Sequence, residues 1–445
     1  MKKRAIISVT LAAVLAAGML AGCGSGDSAE EAANTDSSVE SGSGASGSGT
    51  LDVKIWDSNQ KDGIQTICDE WTEQSGVKVN VEVVDWDNYW TLLEAGASGG
   101  EMPDVFWMHS NYAQKYMEND LLLKLNDYID KDDAIDLGNY YEDIVDLYNT
   151  DDGSQYAIPK DYDTVALWYN KKMFDDAGIA YPDNTWTWEK LHEVGQQLNK
   201  GENQYGLVGN TDANQEGYYN IIYSYGGYVI NEDHTKSGYD DEKTLEAMDM
   251  YAQLIKDCMP PQSVMAETGN SDLFMSETAA MGMFGSWYVP AFKENENASD
   301  WGVAELPYHD ANENGQCDEG ERVSIYNGLG WAAAANTDQP DDAYALISYL
   351  CSKEGQTRQA ELGVTMSAYE GTSDAWVNNT DLFDLNPYLD EANGDATLVI
   401  MPYSRSTTWA EEAKQTFVAA WQDPSQMETV CKQVAESMNA ELAQE

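Results

Sequence analysis

Residues 51–108 read LDVKIWDSNQKDGIQTICDEWTEQSGVKVNVEVVDWDNYWTLLEAGASGGEMPDVFWM. LDVKIWD (51–57) alternates as a strand. QTICDEWTEQSG (65–76) has helical spacing and stops at Gly76, a helix C-cap signal. VKVNVEVV (77–84) is a second strand, WDNYWTLLEAGASGG (86–100) a helix ending in glycines, and PDVFWM (103–108) a short buried strand. The β-α-β-α-β order predicts a parallel sheet with helices on both faces. Ligands on such sheets sit beyond the carboxyl ends of the strands. Those ends supply Asp57, Ser58 and Asn59, then His109, Ser110 and Asn111.

A second set of elements follows. VALWYN (165–170) is a strand and KKMFDDAG (171–178) a short helix ending at Gly178. Thr185 or Thr187 caps the next helix, and another runs from 241 to 257. FMSETAAMGMFGSWYVPAF (274–292) turns from helix to a glycine-flanked Trp287. IYNGLGWAAAA (325–335) is a strand, DDAYALISYLCSKEGQ (341–356) a helix, and the tail is mostly helical. The chain of 445 residues exceeds what one hydrophobic core usually serves, so two lobes are expected.

Charge narrows the partners. With 24 basic and 78 acidic residues the net charge is −54, which repels nucleic acid phosphates and anionic lipid head groups. So many carboxylates also make any Asp/Glu pair found by spacing uninformative about glycosidase chemistry. The chain has 27 Tyr and 14 Trp against 7 Phe, an excess that suits binding surfaces as well as cores.

The N-terminus reads as a processing segment. Lys2, Lys3 and Arg4 precede an apolar run that ends in LAGC, which resembles the bacterial lipoprotein cleavage box. Residues 1–22 are the expected signal peptide and Cys23 the lipidated residue. Residues 24–50, rich in Gly, Ser and acid, are an expected tether spanning roughly 30 Å as a coil. Five further cysteines form no C-x-x-C and no metal pattern.

Catalytic signatures are absent. Gly96 to Gly100 fits G-x-S-x-G, but it closes a helix before a strand, the reverse of a nucleophile elbow. There are four histidines without H-E-x-x-H, and neither a Walker loop nor G-x-G-x-x-G. Trp287, between Ser286 and Tyr288 in a turn, offers an indole face suited to the apolar face of a sugar ring.

Residues 310–321, DANENGQCDEGE, carry the ligand spacing of an EF-hand calcium loop. Asp310, Asn312 and Asn314 would supply side-chain oxygens and Gln316 its carbonyl. Asp318 would give a direct or water-bridged contact and Glu321 a bidentate carboxylate, with Gly315 making the turn. The flanks look like strands rather than EF-hand helices. A structural calcium ion away from the ligand cleft is one reading, and a solvated acidic hairpin the other.

IPKDYDTVALWYNKKMFDDAGI, TWTWEKLHEV, PDVFWM, SETAAMGMFGSW and AYALISYLCSKEGQ together resemble the family 1 extracellular solute-binding proteins of ABC importers, which mostly carry sugars. The likeness covers nearly all of 51–445. It implies an α/β, two-lobe, periplasmic-binding-protein-like fold of type II, with parallel-rich sheets flanked by helices and a ligand cleft between the lobes. It implies crossings near 161–167, 305–308 and 330–335. The N-terminal lobe is then 51–162 plus 307–333, and the C-terminal lobe 163–306 plus 334–445. The acidic loop becomes an excursion on the N-terminal lobe. The resemblance puts the hinge acid on Asp163 and the stacking aromatic on Trp287. It puts further sugar contacts on Asp57, Asn59, Trp86, His109, Asn111, Tyr219 and Asn327. The implied protein is a monomeric, lipid-anchored receptor outside the cytoplasmic membrane. It captures a mono- or oligosaccharide by closing its lobes, passes it to the permease subunits and does no covalent chemistry. A surface glycan-active enzyme and an adhesive protein are the competing classes.

Overall fold

The computed structural model describes residues 49–445 apart from Asp395. The expected signal peptide, Cys23 and the expected tether up to Ser48 lie outside the described residues.

The first sheet has the order β2-β1-β3-β9-β4. Its strands are β1 (Thr50–Ile55), β2 (Lys78–Val83), β3 (Val105–Met108), β4 (Ala157–Pro159) and, late in the chain, β9 (Gly330–Ala333). β1 runs parallel to both β2 and β3, as the opening β-α-β-α-β pattern requires. β9 inserts antiparallel between β3 and β4. Gly76 ends the first helix at φ +78°, a left-handed turn that favours glycine.

The second sheet, β6-β5-β7, is antiparallel. It comprises β5 (Val165–Asn170), β6 (Met281–Gly285) and β7 (Trp301–Ala304). Helices Trp188–Leu198, Glu242–Cys258, Thr408–Gln422 and Met427–Leu442 build the body around it. Thr187, not Thr185, caps the first of these by accepting from the Lys190 backbone N–H. β8 (Val323–Tyr326) and β10 (Thr397–Ile400) form a separate parallel pair.

The lobe boundaries differ from expectation in two places. Helix Pro340–Cys351 turns Ala343, Leu346, Ile347 and Leu350 into a core shared with Val53, Ile64, Trp107 and Trp331. So residues 340–351 belong to the first lobe and not the second. Residues 305–322 stay with the second lobe. The Leu306 N–H donates to Glu391, Tyr308 pairs with Thr187, and Ser224 Oγ donates to the Glu321 carbonyl. The acidic loop is therefore an excursion of the second lobe.

Three segments make the crossing. The chain leaves β4 through Lys160 to Thr164 into β5, and returns through Asn327 to Leu329 into β9. It crosses again near Thr365 to Ser367. Asp163 pairs with Asn327 and Asp161 with Ser367, so the segments bond to one another side by side. The second crossing thus lies at 327–329, not at 305–308 or 330–335.

Candidate functional site

The carboxyl ends of β1 and β3 turn toward this crossing. Asp57 folds its carboxylate back to accept from the Asn59 backbone at 2.8 Å and from Gln60 Nε2 at 3.0 Å. Burial raises its pKa above the usual range. Asn59 is exposed. His109 caps helix Ser110–Glu118, its Nδ1 accepting from the Asn111 backbone N–H at 3.1 Å. The neutral ring then carries its proton on Nε2, which faces the Asn327 side-chain amide at 3.1 Å. Turning that amide to offer Oδ1, otherwise buried without a partner, completes the pair. Burial lowers the His109 pKa to about 4, so the ring is neutral at neutral pH. The Asn111 carbonyl accepts from Thr407 Oγ1 at 2.9 Å, which ties the C-terminal segment to this edge.

Trp86 follows β2 and meets Trp56, Trp90 and His109 nearly perpendicularly, with ring centroids 5.1, 5.4 and 5.3 Å away. It is 37% exposed. Trp56 gave no separate signal in the sequence, although its place beside Asp57 at the end of an alternating strand puts it at this edge.

Across from these residues lies the turn after β6. Gly285 ends the strand and Ser286–Tyr288 forms a single 3₁₀ turn. A Cβ on Gly285 would lie 2.1 Å from the Trp287 ring, so glycine is what lets the indole lie against the strand end. Sequence reading put helix before Trp287. The structure makes Met281–Gly285 a fully buried strand, because the small residues let it pair with β5. Trp287 and Tyr288 are both half-buried.

Asp163 lies behind this turn. Ser286 Oγ donates to its Oδ1 at 2.5 Å and Thr365 Oγ1 to the same oxygen at 3.0 Å. Burial, reinforced by the neighbouring Asp161, raises its pKa to about 7. Glu216, which no sequence signal separated from the other acids, accepts from the Gly285 N–H at 3.0 Å. Burial raises its pKa to about 8. The charges of Glu216 and of Asp57 both reach the Tyr288 hydroxyl and raise its pKa, which brings the two walls together electrostatically. Lys160 is fully buried, ion-paired with Asp161, donating to Gln60 at 2.9 Å and lying over the Trp107 ring at 4.5 Å.

Tyr219 does not join this group. It is fully buried in the second-lobe core beside Tyr218. Helix Tyr219–Ser224 is apolar on several faces, so its tyrosine packs inward.

The acidic loop sits elsewhere on the second lobe. The Asp310 carboxylate accepts from the Asn314 and Gly315 N–H groups at 3.0 and 2.8 Å. Asn312 and Asn314 both donate to Asp318 Oδ2, at 2.7 and 2.9 Å. Glu321, 7% exposed, accepts from the Ala311 and Asp318 N–H groups. Gln316 contributes its N–H to Asn314. Gly315 has φ +75°. Among the described residues no three His, Cys, Asp or Glu side chains gather as a metal cage.

A family profile described as bacterial extracellular solute-binding protein matches residues 66–383. A Brucella abortus protein named only as a binding protein is 25% identical over 325 residues, 72% of this chain and 76% of its own length. The galactooligosaccharide-binding protein of Bacillus subtilis is 23% identical over 337 residues, 72% of this chain and 74% of its own. Among solved structures, a Listeria monocytogenes ABC substrate-binding protein in complex with cycloalternan superposes with a TM-score of 0.79 at 20% identity. That superposition covers 88% of this chain and 99% of the other, and the shared fold is the two-lobe one.

Proposed function

The chain belongs to the bacterial extracellular solute-binding protein family, and from that membership we propose that it is the saccharide-capturing subunit of an ABC importer. It is a binding protein and not an enzyme. The observation that carries the sugar reading is Trp287, an indole seated on Gly285 beside the acceptors Glu216 and Asp163. An aromatic face for the C–H side of a pyranose, flanked by hydroxyl-binding carboxyl groups, is how proteins hold sugars. Asp57, Asn59, His109, Asn111 and Trp86 form the facing wall, and closing the lobes buries the ligand. Relatives named for galactooligosaccharide and maltotriose binding support the same class. A thermal-shift screen against saccharides tests it, since a ligand at 100 times its dissociation constant adds about 2.7 kcal/mol of stability. The receptor hands its sugar to the permease while a lipid on Cys23 holds it outside the cytoplasmic membrane.

The loop 310–321 supports a separate role as a structural calcium site. Asp318 already gathers the side chains of Asn312 and Asn314, and Asp310 holds the turn at Gly315. An ion there would take over the two amide contacts on Asp318 and bind their oxygens instead, stapling the acidic segment.

A further inference from the structure

We propose that Gln60 is a positioning residue for the cleft wall: held by the buried Lys160, it fixes Asp57 as a hydrogen-bond acceptor, so that the ligand group received there must be a donor. This rests on the reading above in taking Asp57 to face the sugar. It adds two residues, Gln60 and Lys160, that act through Asp57.

Gln60 stands at the N-terminus of helix Lys61–Ser75, yet its side chain does not cap that helix. It is 3% exposed and uses both ends of its amide elsewhere. Oε1 accepts from Lys160 Nζ at 2.9 Å, and Nε2 donates to Asp57 Oδ2 at 3.0 Å. A lysine ammonium only donates, so the amide must turn its oxygen to Lys160 and its NH2 to Asp57. The Asn59 N–H supplies a second bond, to Asp57 Oδ1 at 2.8 Å. Both oxygens of Asp57 therefore accept, and each keeps a lone pair for the cleft. Burial raises the Asp57 pKa, while the Asn59 and Gln60 bonds and the Lys160 charge oppose that rise.

Lys160 has little freedom to release Gln60. Its ammonium is fully buried and shared among Gln60, Asp161 and the face of Trp107. Asp161 is fixed in turn by the Leu329 N–H at 2.7 Å. The Lys160 carbonyl accepts from Gln356 and Gln359 at 2.8 and 3.0 Å. Leu329 lies on the second crossing segment, so two side chains, Gln60 and Lys160, join the wall acid to the hinge.

The test uses two variants of the full chain. Gln60→Met removes the relay but keeps the length of the side chain. Gln60→Glu keeps a partner for Lys160 and sets a carboxyl against Asp57. The first readout needs no sugar. Carbodiimide labelling with glycine ethyl ester, read by mass spectrometry, reports how freely the Asp57 carboxyl reacts. Gln60→Met should raise that labelling several-fold. The second readout is calorimetry with glucose, galactose, maltose, cellobiose, lactose and xylobiose. Gln60→Met should weaken the saccharide that binds the wild type roughly tenfold at every pH. Gln60→Glu should match that loss at about pH 8, where the two carboxylates repel. It should regain most of the affinity at about pH 5, where the pair shares one proton and the bond to Asp57 re-forms. Comparison with the wild type at the same pH cancels the titration of Asp163, Glu216, Tyr288 and His109. A side chain that only fills space gives no such rescue. Wild-type labelling of Asp57 in Gln60→Met overturns the inference whichever sugar binds, and so does a saccharide indifferent to both variants. Raised labelling with silence across the sugars upholds the positioning of Asp57 and counts against the saccharide reading alone.

Discussion

The Ser286 hydroxyl donates to the Asp163 carboxylate at 2.5 Å, one residue before the indole of Trp287. Thr365, from the third crossing segment, binds the same oxygen. Asp163 itself lies on the first crossing segment and its backbone pairs with Asn327 on the second, so one buried acid joins the end of β6 to all three crossing segments. Its protonation has a consequence for stability. Asp163, Glu216 and Glu391 are held at about 7, 8 and 8 by burial, all above their unfolded values. The folded chain therefore keeps protons that the unfolded chain has released, and stability falls as pH rises toward those values. His109, with its pKa lowered to about 4, acts in the opposite sense, but only below about pH 6.5, where an unfolded histidine charges. Between pH 6.5 and 8 the carboxyl groups act alone. The ligand-free melting temperature should drop across that window, and Asp163→Asn with Glu216→Gln should make the drop shallower, Glu391 still contributing. A wild-type curve that rises there contradicts the assignment.

Gly285 has φ −71°, which any residue adopts, so its requirement is steric and comes from the Trp287 ring. Gly285→Ala should push the indole out of place and weaken sugar binding by about 1–2 kcal/mol. Calorimetry and near-ultraviolet circular dichroism would report both effects. Full affinity with an unchanged tryptophan signal would mean that the ring has room the structure does not give it.

The calcium proposal predicts that a chelator lowers the melting temperature of the wild type and that added calcium restores it. Glu321→Ala is expected to destabilise by about 1–3 kcal/mol in either condition, because two backbone N–H groups lose their acceptor. The wild type decides the question. Identical melting with calcium and with chelator leaves an acidic hairpin held by its own hydrogen bonds.

Cys23→Ala should abolish lipid attachment and leave the precursor unprocessed or released into the medium. Fractionation followed by mass spectrometry of the N-terminus checks this. A variant that is still cleaved after Gly22 and still membrane-bound would rule out the lipid anchor.

Local patterns in the chain carried the first three strands, the left-handed caps at Gly76 and Gly178, and the Trp287 turn. Those features depend on residues close in sequence. The lobe boundaries did not, because the apolar face of helix Pro340–Cys351 looks the same whichever sheet it covers. Its partners, Trp107 and Trp331, come from strands far apart in sequence. Met281–Gly285 hid as a strand because its glycines and methionines carry little β-propensity, and pairing with β5 decided its form. Glu216 was illegible for a different reason. Among 78 acids nothing local separates one that is buried behind a tryptophan turn from one that is solvated.

The central claim, that sugar sits between the lobes against Trp287 and Asp163, is tested most directly by titration calorimetry. The ligand is the saccharide giving the largest thermal shift with the wild type. Trp287→Ala should weaken binding by about 1–3 kcal/mol through the lost stacking face, and Asp163→Asn should weaken it because an amide NH2 replaces one acceptor oxygen of the group that Ser286 and Thr365 bind. Both variants should stay folded. Wild-type affinity in both would contradict the account and place the sugar elsewhere on the protein.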